Sequence, residues 1–379
     1  MKKFLVVLAV ISLTLFADNA EFEEILTIVE DNPVLIAQAP DVTKEYVPAE
    51  KASKDYFPPD PYEDNQGPFF TGEFLYWKTL STRMPIAATD QLIPPAAGPG
   101  PGVGISMKTH EAKFGYDAGW RAGVGYRLPY RAWDFYGNWT HLNADAHKTV
   151  EPGPNQSVAN IWGTLNLPSA LDRSVGHQDL ELNTFDFELG KTIHFTPPFM
   201  IRPFLGIKYA WIDQSLKVDN QLADLVPNTT RTHFHFDNDF RGIGLRFGFN
   251  TDWEIDKGFA VIGRAAYSLL WGKLRLNHKE HYEFLAPGGA VIVHDFDFPE
   301  NRHIVQNVVE LFAGLRWEKI YHHEKYRFRI QGGYEAQYWP SFNQLTRIAE
   351  VTNINMDMVF PFSGDLGFHG WTAGVRFDF

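Results

Sequence analysis

From Phe69 onward, apolar and polar residues alternate along the chain in stretches divided by turn-forming residues. Ile201, Leu205, Ile207, Tyr209 and Trp211 share one parity; Arg202, Gly206, Lys208 and Ala210 share the other. Ile243, Leu245, Phe247 and Phe249 oppose Gly244, Arg246, Gly248 and Asn250 in the same way. A period of two with one greasy and one polar face predicts strands whose two sides meet different solvents. The C-terminal stretch repeats the pattern, with Trp371, Ala373, Val375, Phe377 and Phe379 set against Thr372, Gly374, Arg376 and Asp378. Such a strand is expected to pair with the first one, at about 69–79, so that the sheet keeps no open edge. In that first strand Phe74 and Tyr76 compete with Leu75 and Trp77 for the outward face.

The pattern predicts about ten strands, with twelve as the alternative: 69–79, 114–127, 132–142, 179–194, 200–215, 234–252, 258–277, 303–318, 324–339 and 366–379. Several exceed the roughly 9–11 residues that cross a bilayer. The connections alternate long and short, with brief turns near Leu128–Arg131, Thr196–Pro198, Glu254–Lys257 and Ile320–His323. That rhythm predicts an all-β fold, a transmembrane antiparallel up-and-down β-barrel with short periplasmic turns and long extracellular loops.

Tryptophans sharpen the expectation. Each strand running toward a long loop carries one near its far end: Trp77, Trp139, Trp211, Trp271 and Trp339. Trp133, Trp253 and Trp317 mark the other rim. Two levels of amphipathic rings are expected to form the aromatic girdles of a membrane barrel.

Composition adds the cellular address. Lys2 and Lys3 precede an apolar run from Phe4 to Phe16, so residues 1–17 read as a cleaved signal peptide. Residues 18–66 hold 13 Asp or Glu against three Lys and several prolines, and read as a flexible acidic extension, leaving 67–379 for the barrel. No apolar run reaches the roughly 18 residues of a membrane helix. The chain has no cysteine, which excludes a lipid-modified N-terminal Cys and a disulfide framework. A net charge of -12 argues against nucleic acid as a partner. The expected location is the bacterial outer membrane, with its lipid as the first partner.

If the apolar parity faces lipid, the other parity lines the lumen. Its cations are Arg121, Arg127, Arg202, Lys208, Arg246, Arg264, Arg316, Arg327, Arg329 and Arg376. Its anions are Glu73, Asp134, Asp186, Glu188, Glu310, Glu318, Glu335 and Asp378. Two readings stand open: a salt-bridge lattice that fills the interior, or a wet pore whose arginines favour anions. About eight strands close on their own side chains and 16–18 leave a channel, so ten imply a narrow or plugged bore.

Histidines cluster toward the long loops. His233, His235 and Asp237 share one face of a strand and form a weak candidate for a metal site, or for Asp/His rim chemistry like that of a ten-stranded outer-membrane protease. Neither an HExxH motif nor a nucleophile elbow accompanies them, and solvated polar loops explain them more simply. No catalytic residue and no cofactor is assigned.

Several strand texts resemble the major outer membrane protein family of Legionella and Chlamydia-related bacteria: Phe70-Thr-Gly-Glu-Phe-Leu-Tyr-Trp-Lys78, Gly119-Trp-Arg-Ala-Gly-Val-Gly-Tyr126 and Gly370-Trp-Thr-Ala-Gly-Val-Arg-Phe377. The resemblance covers about 69–379. It implies an abundant, porin-like outer-membrane barrel whose terminal Phe379 is the signal read by the barrel assembly machinery. The absence of cysteine departs from the disulfide-crosslinked chlamydial members and speaks against a crosslinked coat; no oligomeric state is assigned. The expected function is passive diffusion of ions and small hydrophilic solutes. The alternatives are a closed structural or adhesive barrel whose long loops meet a host-surface ligand, and, third, a rim protease.

Overall fold

The computed structural model describes residues 66–93, 104–129, 132–154, 156–163, 170–222, 231–285, 290–321, 326–351 and 356–379. The signal segment, and the acidic extension apart from Gln66, lie outside the described residues.

The alternating stretches form strands β1 (Gly67–Ser81), β2 (Pro85–Ile93), β3 (Gly104–Glu111), β4 (Tyr116–Arg127), β5 (Trp133–Val150), β6 (Gln156–Ala159) and β7 (Ala170–Lys191). They continue with β8 (Ile193–Thr196), β9 (Phe199–Leu222), β10 (Arg231–Asp256), β11 (Phe259–Leu285), β12 (Val291–Tyr321), β13 (Tyr326–Val351) and β14 (Met356–Asp378). All belong to one antiparallel sheet. The expected count of ten or twelve is thereby corrected to fourteen among the described residues, because β2, β3, β6 and β8 join the sheet from the connections. The ring of pairing runs β1–β4–β5–β7–β9–β10–β11–β12–β13–β14 and returns to β1. At the seam Phe69 faces Asp378, and the Phe379 N–H donates to the Pro68 carbonyl at 3.1 Å. No edge is left open along that closure.

Local chemistry sets the hairpins. Between β10 and β11 only Lys257 and Gly258 turn the chain, at φ 51° and 82°. Positive φ at both central residues is the type I′ geometry, whose twist matches that of the flanking strands. Close packing also dictates two inward glycines. A Cβ at Gly206 would lie 1.9 Å from the Phe187 carbonyl oxygen, and one at Gly244 would lie 1.8 Å from that of Leu269. These glycines let neighbouring backbones approach; they do not widen the bore.

The strands outrun their sequence-based limits. β12 covers 31 residues and β11 covers 27, where 16 and 20 were expected. Parity is constant along each strand, but the chemistry of its two faces exchanges at the tryptophan level. On β9 the outward side chains are Leu205, Ile207, Tyr209 and Trp211, then Asp213, Lys217 and Asp219. The buried ones change from Lys208 to Ala210, Ile212, Leu216 and Val218. β10 inverts likewise, from outward Ile243, Leu245 and Phe247 to outward Arg241, Asp239, Asp237 and His235, with Phe240, Phe236 and Phe234 buried behind them. The barrel thus has a lower zone, apolar outside and charged inside, and a crown, polar outside and apolar inside. The lower zone suits lipid and the crown suits water.

The girdle assignments are corrected at two positions. Trp139 and Trp271 are exposed, Trp271 at 71%, and Trp211 is half-buried, but Trp77 and Trp339 are buried. Glu73 must face inward to meet Arg121, and a period of two carries Leu75 and Trp77 inward with it. Trp339 sits at a register shift between β13 and β14, beside Ser341 at φ 53°, and packs against Phe342. Tyr76, Tyr338, Trp120 and Trp371 are the exposed rings on these neighbouring strands. Toward the short turns, Trp133 and Trp253 are exposed and Trp317 is half-buried.

Candidate functional site

Period-two alternation brings inward the charges of the lower zone, and three ion networks result. In the first, Arg121 donates to Glu73 at 2.6 Å, to Glu335 at 2.9 Å and to Thr140 at 2.8 Å. Glu335 also holds Arg264 at 3.1 Å and accepts from the Thr372 hydroxyl at 3.2 Å. In the second, Lys208 lies 2.7 Å from Asp186 and 3.0 Å from Glu310, while Arg246 reaches Glu310 at 2.5 Å and Glu188 at 3.3 Å. Arg202 extends it, bridging Glu188 and Asp134. Every strand of the closed ring sends a polar side chain into one of these two networks, so they form a belt across the bore.

The third network lies nearer the short turns. Glu318 receives Arg316 at 2.6 Å, Arg329 at 2.7 Å and Arg327 at 3.4 Å. Asp378 receives Arg127 at 2.8 Å and Arg376 at 2.7 Å. Asp252 and Glu254 complete it, at 2.7 and 3.4 Å from Arg316. Neither was in the sequence-derived set. Their parity on β10, shared with Arg246, was the available signal.

Exposure divides these charges in two, with Arg316 and Arg327 of the third network as buried as Arg121 of the belt. Arg121, Lys208 and Arg246 keep 0–4% of their side-chain surface, whereas Arg127, Arg202, Arg264, Arg329 and Arg376 keep 15–20%. The centre of the belt is dry, and the arginines nearer the short turns, Arg202 and Arg264 of the belt networks among them, are wetter. A cavity of about 210 Å³ occupies the wet part. A buried charge is tolerated when it is paired, and every charge of the belt has an ion-pair partner.

Above the belt the bore is filled by apolar side chains, of which sequence reasoning had placed Met84, Ile86, Ala87 and Trp162 in connections and the others in strands. Leu142, Leu182, Ile212, Phe240, Leu270 and Leu274 come from the wall. Met84, Ile86 and Ala87 come from the β1–β2 connection and the start of β2, and Trp162 from the segment after β6. The Trp162 indole N–H donates to the Pro85 carbonyl at 2.7 Å, and its ring lies 4.6 Å from that of Phe236. The Ser81 hydroxyl accepts from Gln178 at 2.8 Å and from Asn343 at 3.0 Å, tying the insertion to opposite walls.

His233 and His235 stand elsewhere, on the outward face of the crown, whereas His278 is buried against Phe236. His235 pairs with Asp237 at 2.9 Å, but His233 turns away from both, to Asp219 at 2.5 Å. The three candidates therefore do not converge, and among the described residues no group of three or more His, Asp or Glu is arranged to hold a metal ion. His233 and His281 are register neighbours, and His281 pairs with Asp295 at 2.6 Å. The result is a surface ladder, Asp219–His233–His281–Asp295, across β9 to β12.

Hydrogen bonds to Asp295 and then Glu283 raise the His281 pKa above its ordinary 6.5. A raised folded-state pKa gives stability that is fully present below about 6.5 and is lost as pH rises through the folded value. NMR titration of the imidazole should show a midpoint above 6.5, and D295N should bring it back toward that value. An unchanged midpoint in D295N would contradict the assignment. The effect on stability is small, since the pair is largely solvated.

A family model described as Legionella pneumophila major outer membrane protein precursor matches residues 62–379. No curated protein matches the sequence. Among solved structures, the outer membrane protease OmpT of Escherichia coli is similar at 11% identity and a TM-score of 0.35, covering 84% of this chain and 97% of its own. A FadL homologue of Pseudomonas aeruginosa follows at 6% identity and a TM-score of 0.22, covering 85% and 94%. The toluene transporter TodX of Pseudomonas putida has 6% identity and a TM-score of 0.17, covering 83% and 90%. These likenesses are too weak to carry a residue or an activity to this chain.

Proposed function

Because the chain belongs to the Legionella pneumophila major outer membrane protein family and is an outer-membrane β-barrel, we propose that it is a narrow pore gated at its mouth. Ions and small hydrophilic solutes would cross it between the inward charges when the inserted segments withdraw. One observation carries this reading. The apolar filling of the mouth is partly borne by residues outside the closed ring, Met84, the start of β2 and Trp162, and beneath it the wall is charged and opens into a wet cavity. A strand of the ring cannot leave a closed barrel without breaking its ladder. Met84, β2 and the segment after β6 lie outside that ring, joined to its ladder among the described residues only through the short β6–β7 pairing. In the conformation described here the bore is shut.

The second reading, a closed structural or adhesive barrel acting through its outer face, is favoured by the dryness of the belt. Lys208 and Arg246 would have to change partners for anything hydrated to pass. A rim protease has no such support, since His233, His235 and Asp237 point away from the mouth.

Planar-bilayer recording of the full refolded protein separates the first two. The expected result is brief, small, ohmic steps for the wild type and a several-fold higher open probability for M84A/W162A. Silence from both proteins would leave the closed barrel standing and remove the pore.

A further inference from the structure

The wet cavity at the short-turn end has a charge surplus that the belt lacks. Six guanidiniums line it: Arg127, Arg202, Arg264, Arg327, Arg329 and Arg376. Only three carboxylates do so, Glu73, Asp134 and Asp252. Each of these three is already engaged, Glu73 by Arg121, Asp134 by Arg202 and Asp252 by Arg316. Outside the lining, Asp378 is divided between Arg127 and Arg376, and Glu318 among Arg316, Arg327 and Arg329. Glu335 pairs with Arg264 and Glu188 with Arg202, so five carboxylates, Asp134 included, serve the six lining arginines.

Guanidiniums present donors in a rigid planar fork, suited to two oxygens of one anion at a time. Partly enclosed arginines in excess over their carboxylates form a cavity that attracts a negatively charged guest, because low-dielectric walls focus the field. Neutral polar side chains, Thr71, Tyr136, Thr192, Asn250, Thr251 and Gln331, add to the polar lining, and Asn250 stands in register between Arg202 and Arg264. The volume, about 210 Å³, admits a small ion with a few waters and no large solute.

We propose that this cavity is a binding site for a small oxyanion of the phosphate class, entered from the short-turn side. Anion binding can be measured whether or not the bore conducts, although Glu73, Asp134, Arg202 and Arg264 belong both to the belt and to the cavity wall.

The test uses the full refolded protein in detergent and inorganic phosphate as the probe, followed by equilibrium dialysis at low ionic strength. The expected result is one saturable site, with sulfate competing. N250D places a carboxylate between two of the arginines and should weaken binding at least tenfold. K257Q, at an exposed turn, should leave it unchanged. Folding of each variant is checked by heat-modified gel mobility. If N250D does not fold, R376K, which keeps the charge and loses the fork, should weaken binding several-fold. Absence of saturable uptake by the wild type would overturn the proposal. So would affinity unchanged in a folded N250D or R376K, or affinity falling equally in K257Q.

Discussion

Replacing Glu335 with Ala is expected to destabilise the barrel by about 3–5 kcal/mol, the usual cost of removing one partner from a buried ion network. Glu335 is 1% exposed and accepts from three directions: Arg121 on β4, Arg264 on β11 and Thr372 on β14. Its loss leaves Arg264 without its carboxylate partner and Arg121 with Glu73 as its remaining carboxylate. The change would appear as a lower guanidinium midpoint for the vesicle-inserted protein and a lower temperature for the gel-mobility shift. Asp295→Ala on the crown surface provides the contrast. There the His281 pair is exposed, and the expected cost is within about 1 kcal/mol. Equal costs for the two would mean that the belt is solvated rather than dry.

Phe236→Ala is the second large effect, at about 3–5 kcal/mol, through lost transfer energy and the cavity left behind. The ring is 1% exposed and stacks on His278 at 4.2 Å and against Trp162 at 4.6 Å. It therefore holds the inserted segment to the wall. The denaturant midpoint should fall, and Trp162 fluorescence should become more accessible to a water-soluble quencher added from the long-connection side. A drop below about 1 kcal/mol would show that the mouth filling packs loosely.

The lower zone was legible because lipid outside and charge inside make the alternation strong. Leu245, Phe247 and Arg246 illustrate it: one parity is apolar, the other charged. The crown was harder to read. On β10, His233-Phe234-His235-Phe236-Asp237 alternates as strongly, but with the apolar parity inward, so its polar strand face suggested a metal site rather than a surface that simply meets water. One cue was present: beyond Trp139, Trp211 and Trp271 the same parity turns to His141, Asp213 and Lys273. The belt residues were found by parity alone. Their partners were not, because Arg121 and Glu335 lie 214 positions apart and meet only through closure. Trp77 was misplaced because ring type was weighed above the parity fixed by Glu73. The inserted Met84 and Trp162 carry no local signal of their burial, which depends on a mouth built by strands far away in sequence.

The exchange of faces along each strand also has a consequence for how the fold is reached. The crown's outward residues stand beyond the membrane only after crossing it. On β9 and β10 these include Asp213, Lys217, Asp219, Asp237, Asp239 and Arg241. An Arg or Lys at the bilayer midplane costs roughly 2–4 kcal/mol. A bare hairpin therefore meets a high barrier in transit, although it rests comfortably at its destination. The lower stretch can settle into hydrocarbon at once, whereas the crown must wait until its charged face has cleared the lipid. The charges of the crown thus weigh on the time taken to assemble more than on the stability of the finished barrel.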